Sequence, residues 1–227
     1  MGRYGSFTVL VVLTAALAGC DESVNRDVTA SGAAASTVNG SVRVPDGEHA
    51  GAVGTVNGSV DVGSNAVVGS VHTVNGPIQM GAHASADEVK AVNGEVTVGE
   101  GAHVAHDLVT VNGTIDLKGG ADVGGTVKNV NGHIVLNGAH VAGGLHTVGG
   151  DIDINGDSHV EGGILVRKGD WFSSSSHRPR IVIGPGAVVQ GDLRFEREVQ
   201  LYVSDKATVG PVTGATAIRF SGEKPQA

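Results

Sequence analysis

Histidines and one aspartate form the first set of residues in this 227-residue chain whose type and spacing could do chemistry. They share a place just after a Gly-Ala or similar pair, and they are His83, His103, Asp122, His140 and His159. Imidazole and carboxylate groups in one row can bind zinc or another transition metal, and stacked imidazoles would charge together near about pH 6. An exposed turn that accepts any polar residue explains the same positions. The sequence therefore predicts no metal and no other cofactor, and keeps these five as weak candidate ligands.

A second set consists of asparagines, each inside a repeated Val-Asn-Gly. They are Asn39, Asn57, Asn75, Asn93, Asn112 and Asn131. A polar row of this kind could bind a glycan. Amides stacked at one corner of a repeat can instead hydrogen-bond to one another. We expect this structural ladder.

The segment 167–180 is the third candidate, because it interrupts the repeat and contains the only tryptophan. It is basic in a chain whose formal net charge is -8. Its candidate contact residues are Trp171, Phe172, His177, Arg178 and Arg180. Loops that leave a rigid scaffold often carry contacts, although a plain surface insertion has the same appearance.

The fourth candidate is Cys20, the only cysteine. It follows an apolar run at 7–17, which is too short to span a bilayer as a helix and has the length of a signal-peptide core. Leu17-Ala18-Gly19-Cys20 resembles the bacterial lipobox, which implies cleavage after residue 19 and lipidation of Cys20. An ordinary signal peptide with an incidental cysteine is the alternative. We expect a lipid-anchored protein on the periplasmic side of a bacterial envelope, with Asp21 slightly favouring the inner membrane, and a flexible tether over 20–36.

The element that positions these residues is a short repeat. The Val-Asn-Gly units recur at offsets of 18, 18, 18, 19 and 19, and a degenerate copy at Gly149 follows at 18. A period this short suits one coil of a β-solenoid. Apolar residues also recur every six positions from Val38, which predicts three inward-facing positions per coil. The expected fold is an all-β, three-faced parallel β-helix of about nine coils: regular over 37–166, an extruded loop over 167–180, irregular or capping coils over 181–220, and a tail over 221–227.

Composition agrees with this fold and excludes some functions. The chain contains 37 glycines and only 3% aromatic residues, so its core must consist of small aliphatic side chains packed between tight turns. The negative charge disfavours nucleic acid as a partner. A single cysteine permits no intramolecular disulfide.

Two stretches carry a family resemblance. Gly101-Ala102 followed by Val104 and then Val111-Asn112-Gly113-Thr114-Ile115-Asp116-Leu117, together with Gly186-Ala187-Val188-Val189-Gln190-Gly191-Asp192-Leu193, look like a bactofilin domain. The Val-Asn-Gly units also resemble adhesin-like β-solenoids of bacterial envelopes. The resemblance covers about 37–220 and implies a polymer-forming domain or an adhesin-like one.

The six-residue spacing also resembles the β-helix of hexapeptide acyltransferases, in which a histidine near a protruding loop is catalytic. His177 is the counterpart here, but no domain for an acyl donor is present in the sequence. We therefore expect a non-enzymatic envelope lipoprotein that acts as a scaffold or self-associating spacer. The alternative is a binding module for envelope glycan or a protein, which uses a solenoid face or the Trp171 loop.

Overall fold

The computed structural model describes residues 21–23, 25–169 and 177–225. Every regular element within these ranges is a β-strand. The described residues therefore contain no helix that is long and apolar enough to cross a membrane. All strand pairings are parallel and belong to one continuous sheet.

The strands are short and follow one another closely. The first nine are β1 Asp21–Ser23, β2 Val28–Thr29, β3 Ala35–Asn39, β4 Val42–Val44, β5 His49–Ala50, β6 Val53–Asn57, β7 Val60–Val62, β8 Val67–Asn75 and β9 Ile78–Met80. The next nine are β10 Ser85–Asn93, β11 Val96–Val98, β12 His103–Val104, β13 Leu108–Leu117, β14 Asp122–Val123, β15 Val127–Asn137, β16 His140–Val141, β17 Leu145–Thr147 and β18 Asp151–Asn155. The last nine are β19 His159–Val160, β20 Ile164–Val166, β21 Arg180–Ile183, β22 Val188–Val189, β23 Leu193–Phe195, β24 Gln200–Ser204, β25 Thr208–Val209, β26 Val212–Thr213 and β27 Ala217–Phe220.

The pairings resolve into three stacks, which we call faces 1, 2 and 3. Face 1 starts with β1, β3 and β6 and ends with β23 and β26. Face 2 starts with β2, β4 and β7 and ends with β24 and β27. Face 3 starts with β5 and β8 and ends with β22 and β25. Four long strands, β8, β10, β13 and β15, turn a corner and contribute to two faces each.

The pairing register reproduces the sequence repeat. Asn57 pairs with Asn75 in the next coil, and Asn93 pairs with Asn112, so each ladder position faces the same position of its neighbour. The predicted fold class is confirmed: the molecule is a parallel β-solenoid, with about 10 turns. At a strand spacing of about 4.8 Å the stack is about 48 Å long.

The core is a column of small aliphatic side chains. Face 2 contributes two buried residues per coil, such as Ile78 and Met80, and face 3 contributes one, such as Val104. Face 1 differs from the six-residue series predicted from Val38. The buried residue at its corner is Thr37, whereas Val38 is only half-buried, and every later Thr-Val corner repeats this arrangement.

The two ends of the stack differ from its regular middle. The segment expected to be a flexible tether contributes β1, β2 and the start of β3 to the stack, so the first strand among the described residues begins at Asp21. At the other end the coils are irregular in length but keep parallel pairing. Ile181 pairs with Leu201, and Leu201 pairs with Ala217, so the coil before Leu201 is longer than the coil after it.

Candidate functional site

Three of the predicted functional residues lie outside the part of the chain that the structure describes. These are Cys20, Trp171 and Phe172. The asparagine row, the histidine row and the root of the 167–180 loop are all described, and each lies on the surface of the solenoid.

The Thr-Val-Asn-Gly corner joins face 1 to face 2, and its glycine allows close stacking. A Cβ added at Gly58 would lie 2.0 Å from the carbonyl oxygen of Gly40 in the preceding coil. The same oxygen accepts a hydrogen bond from the buried hydroxyl of Thr55, at 2.8 Å. Threonine is therefore inside because its hydroxyl satisfies a carbonyl that the tight corner removes from water.

Asparagine side chains at this corner form a continuous hydrogen-bonded column, which we call the asparagine ladder. Asn57 Nδ2 donates to Asn39 Oδ1 at 2.8 Å, and the same bond repeats from coil to coil at distances up to 3.1 Å. The column includes all six residues predicted from the sequence, and Asn39 extends it by donating to Asn25. All the amides point their donors toward the N-terminal end, and all the side chains are exposed.

The ladder ends at Asn131 because the next coil carries Gly149 at the equivalent place. Arg197 approaches this vacated corner: its guanidinium donates to the carbonyl oxygens of Val148, at 3.0 Å, and His177, at 2.8 Å. The described end of the 167–180 loop is thus attached where the ladder stops.

The histidine row lies on face 3 and contains four of the five predicted residues. His103 pairs with Asp122, Asp122 with His140, and His140 with His159. The inclusion of His83 is wrong. Ser85 holds its expected place opposite His103, and His83 lies at the preceding turn with a φ of 58°.

Asp122 is the centre of the row. Its Oδ2 lies 2.7 Å from His103 Nδ1, and its Oδ1 lies 2.5 Å from His140 Nδ1. One carboxylate therefore joins three successive coils. Partial burial would raise the pKa of Asp122, but the hydrogen bonds from His140 and His103 outweigh it and hold that pKa below its usual value.

His140 is held between two carboxylates. Its Nδ1 contacts Asp122, and its Nε2 lies 3.2 Å from Glu161 Oε1. An ionised carboxylate only accepts hydrogen bonds, and a neutral imidazole has a single N–H, so both contacts are satisfied together by the imidazolium. The hydrogen bond to Asp122 is the largest cause of the raised pKa of His140. Partial burial lowers this pKa, and the hydrogen bond to Glu161 raises it by a smaller amount.

His159 continues the row without a carboxylate. Its ring centroid lies 5.8 Å from that of His140, and its Nε2 lies 3.0 Å from the side-chain nitrogen of Gln190. Among the described residues, no three His, Cys, Asp or Glu side chains are grouped so that they could hold a metal ion. The row is instead arranged to hold a proton on His140 and to join coils by charge.

The root of the 167–180 loop is attached by charged contacts. Asp151 Oδ1 accepts from the backbone N–H of Arg180, at 2.8 Å, and lies 2.9 Å from His177 Nε2. Arg178 pairs with Glu198 at 2.8 Å. The guanidinium of Arg180 lies 5.4 Å from the ring centroid of Tyr202, within cation–π range. His177, Arg178 and Arg180 thus hold the described C-terminal root of the loop, 177–180, against the stack.

Several partners in these sites were missed by sequence reasoning. Glu161 and Asp151 stand outside any repeated motif, so the sequence offers no signal for them. The sequence offers a weak signal for Asn25, because Val24-Asn25 matches the Val-Asn part of the corner motif. The glycine of the motif is missing there, and the spacing to Asn39 is shorter than the usual period.

The fold and these sites define a repeat protein of the parallel β-solenoid class. Comparison with protein-family models, curated proteins and solved structures found no match for the chain.

Proposed function

We propose that this protein is a non-enzymatic scaffold or self-associating spacer of the bacterial cell envelope, held to the membrane by lipid on Cys20. The observation that carries the proposal is the C-terminal end of the stack. Among the described residues, β25, β26 and β27 each pair with one neighbour only, so their outer edges have no strand beside them.

The last coil also leaves part of the apolar interior accessible. Val209, Val212 and Ala217 belong to positions that are buried in earlier coils, yet here they are only half-buried. Ile218 beside them is 52% exposed. Terminal repeats of soluble solenoids need a polar outer face, and open strand edges are templates for pairing with another chain. A second copy stacked on this end would cover both.

The spacer role rests on where the ends lie. The first described strand begins at Asp21, directly after the predicted lipid attachment, so a lipid on Cys20 would hold one end of the rod. The open end would then stand about 48 Å away along the stack. We expect the rod on the periplasmic side, and the Asp21 signal slightly favours the inner membrane.

The test is the mass of residues 21–227 by light scattering across a concentration series, with electron microscopy of the same samples. We expect oligomers that grow with concentration. Ala217→Lys and Val209→Lys each place a charge in the open end and should leave the protein monomeric. Ala142→Lys, a half-buried alanine in the middle of the rod, is the matched control and should still assemble. A strict monomer at every concentration would refute self-association.

The alternative function is an adhesin-like module that binds envelope glycan or a protein through the 167–180 loop. The observation that favours it is the loop root at 177–180, which contacts with Asp151, Glu198 and Arg197 attach to the stack. Binding to isolated cell wall that falls when Trp171 and Phe172 are replaced by alanine, in a protein that stays monomeric, would support this function over the first.

A further inference from the structure

The Asn-Gly pairs of the asparagine ladder are a set of chemically matched modification sites. Deamidation begins when the backbone nitrogen of the following glycine loses its proton and attacks Cγ of the asparagine. Ammonia leaves with the side-chain nitrogen and a succinimide forms, and water then opens that ring to aspartate or isoaspartate. All six ladder asparagines stand between valine and glycine, so the local sequence favours none of them.

The fold obstructs this reaction inside the ladder in two ways. Each of Asn39, Asn57, Asn75, Asn93 and Asn112 both donates and accepts a ladder hydrogen bond, which holds its side chain in the column. The attacking nitrogen is also engaged. The N–H groups of Gly40, Gly58, Gly76 and Gly94 donate to the asparagine carbonyl of the next coil, at 2.9 to 3.0 Å.

Asn131 keeps only the donor half of the first protection, and the second does not extend to its glycine. It donates to Asn112 at 3.1 Å, but Gly149 in the next coil has no side chain to donate to its Oδ1. At this corner the N–H of Gly149 still donates to the carbonyl oxygen of Val130, at 2.9 Å, but no strand pairing with the next coil includes Gly132. β15 pairs with β17 at Val127 and Lys128 and with β18 from His133 onward, which leaves Gly132 in the gap.

We propose that Asn131 is the ladder position at which the folded protein deamidates spontaneously, and that the ladder protects the other five. Solvent reaches the site, because Asn131 and Gly132 are both exposed. The product carries a new negative charge at the corner that Arg197 approaches. Two further Asn-Gly pairs, at Asn137 and Asn155, follow leucine and isoleucine and lie at another corner, so they stand outside this matched comparison.

The test uses the full chain in a mild detergent, incubated at 37 °C and mildly alkaline pH, with aspartate and isoaspartate measured at each position by peptide mapping and mass spectrometry. In the folded protein we expect Asn131 to react at least about tenfold faster than Asn57, Asn75 or Asn93, a factor that two ordinary hydrogen bonds supply. In guanidinium chloride the six rates should converge.

Two results would overturn the proposal. One is an interior asparagine that reacts as fast as Asn131 in the folded protein. The other is an equal advantage for Asn131 in the unfolded chain, which would assign the effect to local sequence. Gly149→Asn restores the Val-Asn-Gly unit of the next coil, and it should slow the reaction at Asn131. The wild-type comparison of folded and unfolded protein decides the question even if this variant does not fold.

Discussion

Replacing the corner glycine Gly76 by alanine should test the close stacking of coils directly. The added Cβ would lie 2.0 Å from the carbonyl oxygen of Gly58, whereas real Cβ atoms essentially never come closer than 3.0 Å. The backbone there also has a φ of +142°, which alanine rarely adopts. The two coils must therefore separate locally by about 1 Å, a fifth of the strand spacing.

The cost follows from the bonds that this separation breaks. Gly58 N donates to Asn75 O at 2.9 Å, and Asn75 Nδ2 donates to Asn57 Oδ1 at 2.9 Å. Each contributes about 1 kcal/mol, and the unfavourable φ adds about 1 to 2 kcal/mol. We expect Gly76→Ala to lower the free energy of unfolding by about 3 to 4 kcal/mol.

Chemical denaturation followed by far-ultraviolet circular dichroism measures the effect, and the chain offers two graded controls. Gly47 has a φ of +70° with nothing within 4 Å of an added Cβ, so Gly47→Ala should cost only about 1 to 2 kcal/mol. Gly119 is exposed, and an added Cβ would meet only one atom, at 3.8 Å, so Gly119→Ala should be neutral within about 0.5 kcal/mol. Equal stability of the Gly76 and Gly119 variants would refute the stacking argument.

Two other pairs of variants test the buried corner and two histidines whose pKa values are shifted. Thr55→Val removes a hydroxyl that is hydrogen-bonded to Gly40 O, so it should destabilise the protein by about 1 kcal/mol. Thr110→Val removes a buried hydroxyl without a partner, so it should be neutral or stabilising. Equal decreases in the urea midpoints of the two variants would contradict this. The stability that His140 supplies through its raised pKa is fully present below about pH 6.5 and is lost as pH rises through its folded pKa, so His140→Gln should cost more at pH 6 than at pH 9. The pKa of His72 is lowered mainly by burial and also by the nearby charge of Lys90. As the pH falls, the imidazole is therefore protonated in the unfolded chain before it is protonated in the folded protein, and the folded protein loses stability. We expect His72→Gln to lessen this loss of stability in acid. Urea midpoints of the two histidine variants that shift equally at both pH values would show that neither histidine sets the pH dependence.

The repeat period predicts the stack because it reports a property of every coil, but it does not decide which residue of a corner faces inward. Thr37 and Val38 both fit a small core. Threonine is the buried one because the carbonyl of the preceding coil needs a donor, and this need is visible only once two coils are stacked. The Gly-Ala pair before His83 predicts that His83 lies opposite His103, which also follows Gly-Ala. The two histidines are farther apart in sequence than one coil, however, and the coil step pairs Ser85 with His103.

The candidate sites also differ in how far the repeat predicts their residues. The asparagine ladder follows from one residue repeated at one position, so its members could be predicted. Asp122, one of the two carboxylates on His140, was also predicted, but Glu161 on His140 and Asp151 on His177 could not be. Neither belongs to a repeated motif, and they contact residues 21 and 26 positions away. Partners supplied by neighbouring coils of unequal length leave no periodic trace in the sequence.

The parallel stacking has a mechanical consequence. Backbone hydrogen bonds between coils run along the long direction of the rod, so a force that pulls its two ends apart loads the coils in series. The outermost coil yields first, and its release leaves the remaining coils intact because each contacts only its neighbours. Each coil of about 18 residues would add about 60 Å of extended chain in exchange for about 4.8 Å of rod. Such a rod resists compression but lengthens in steps under tension.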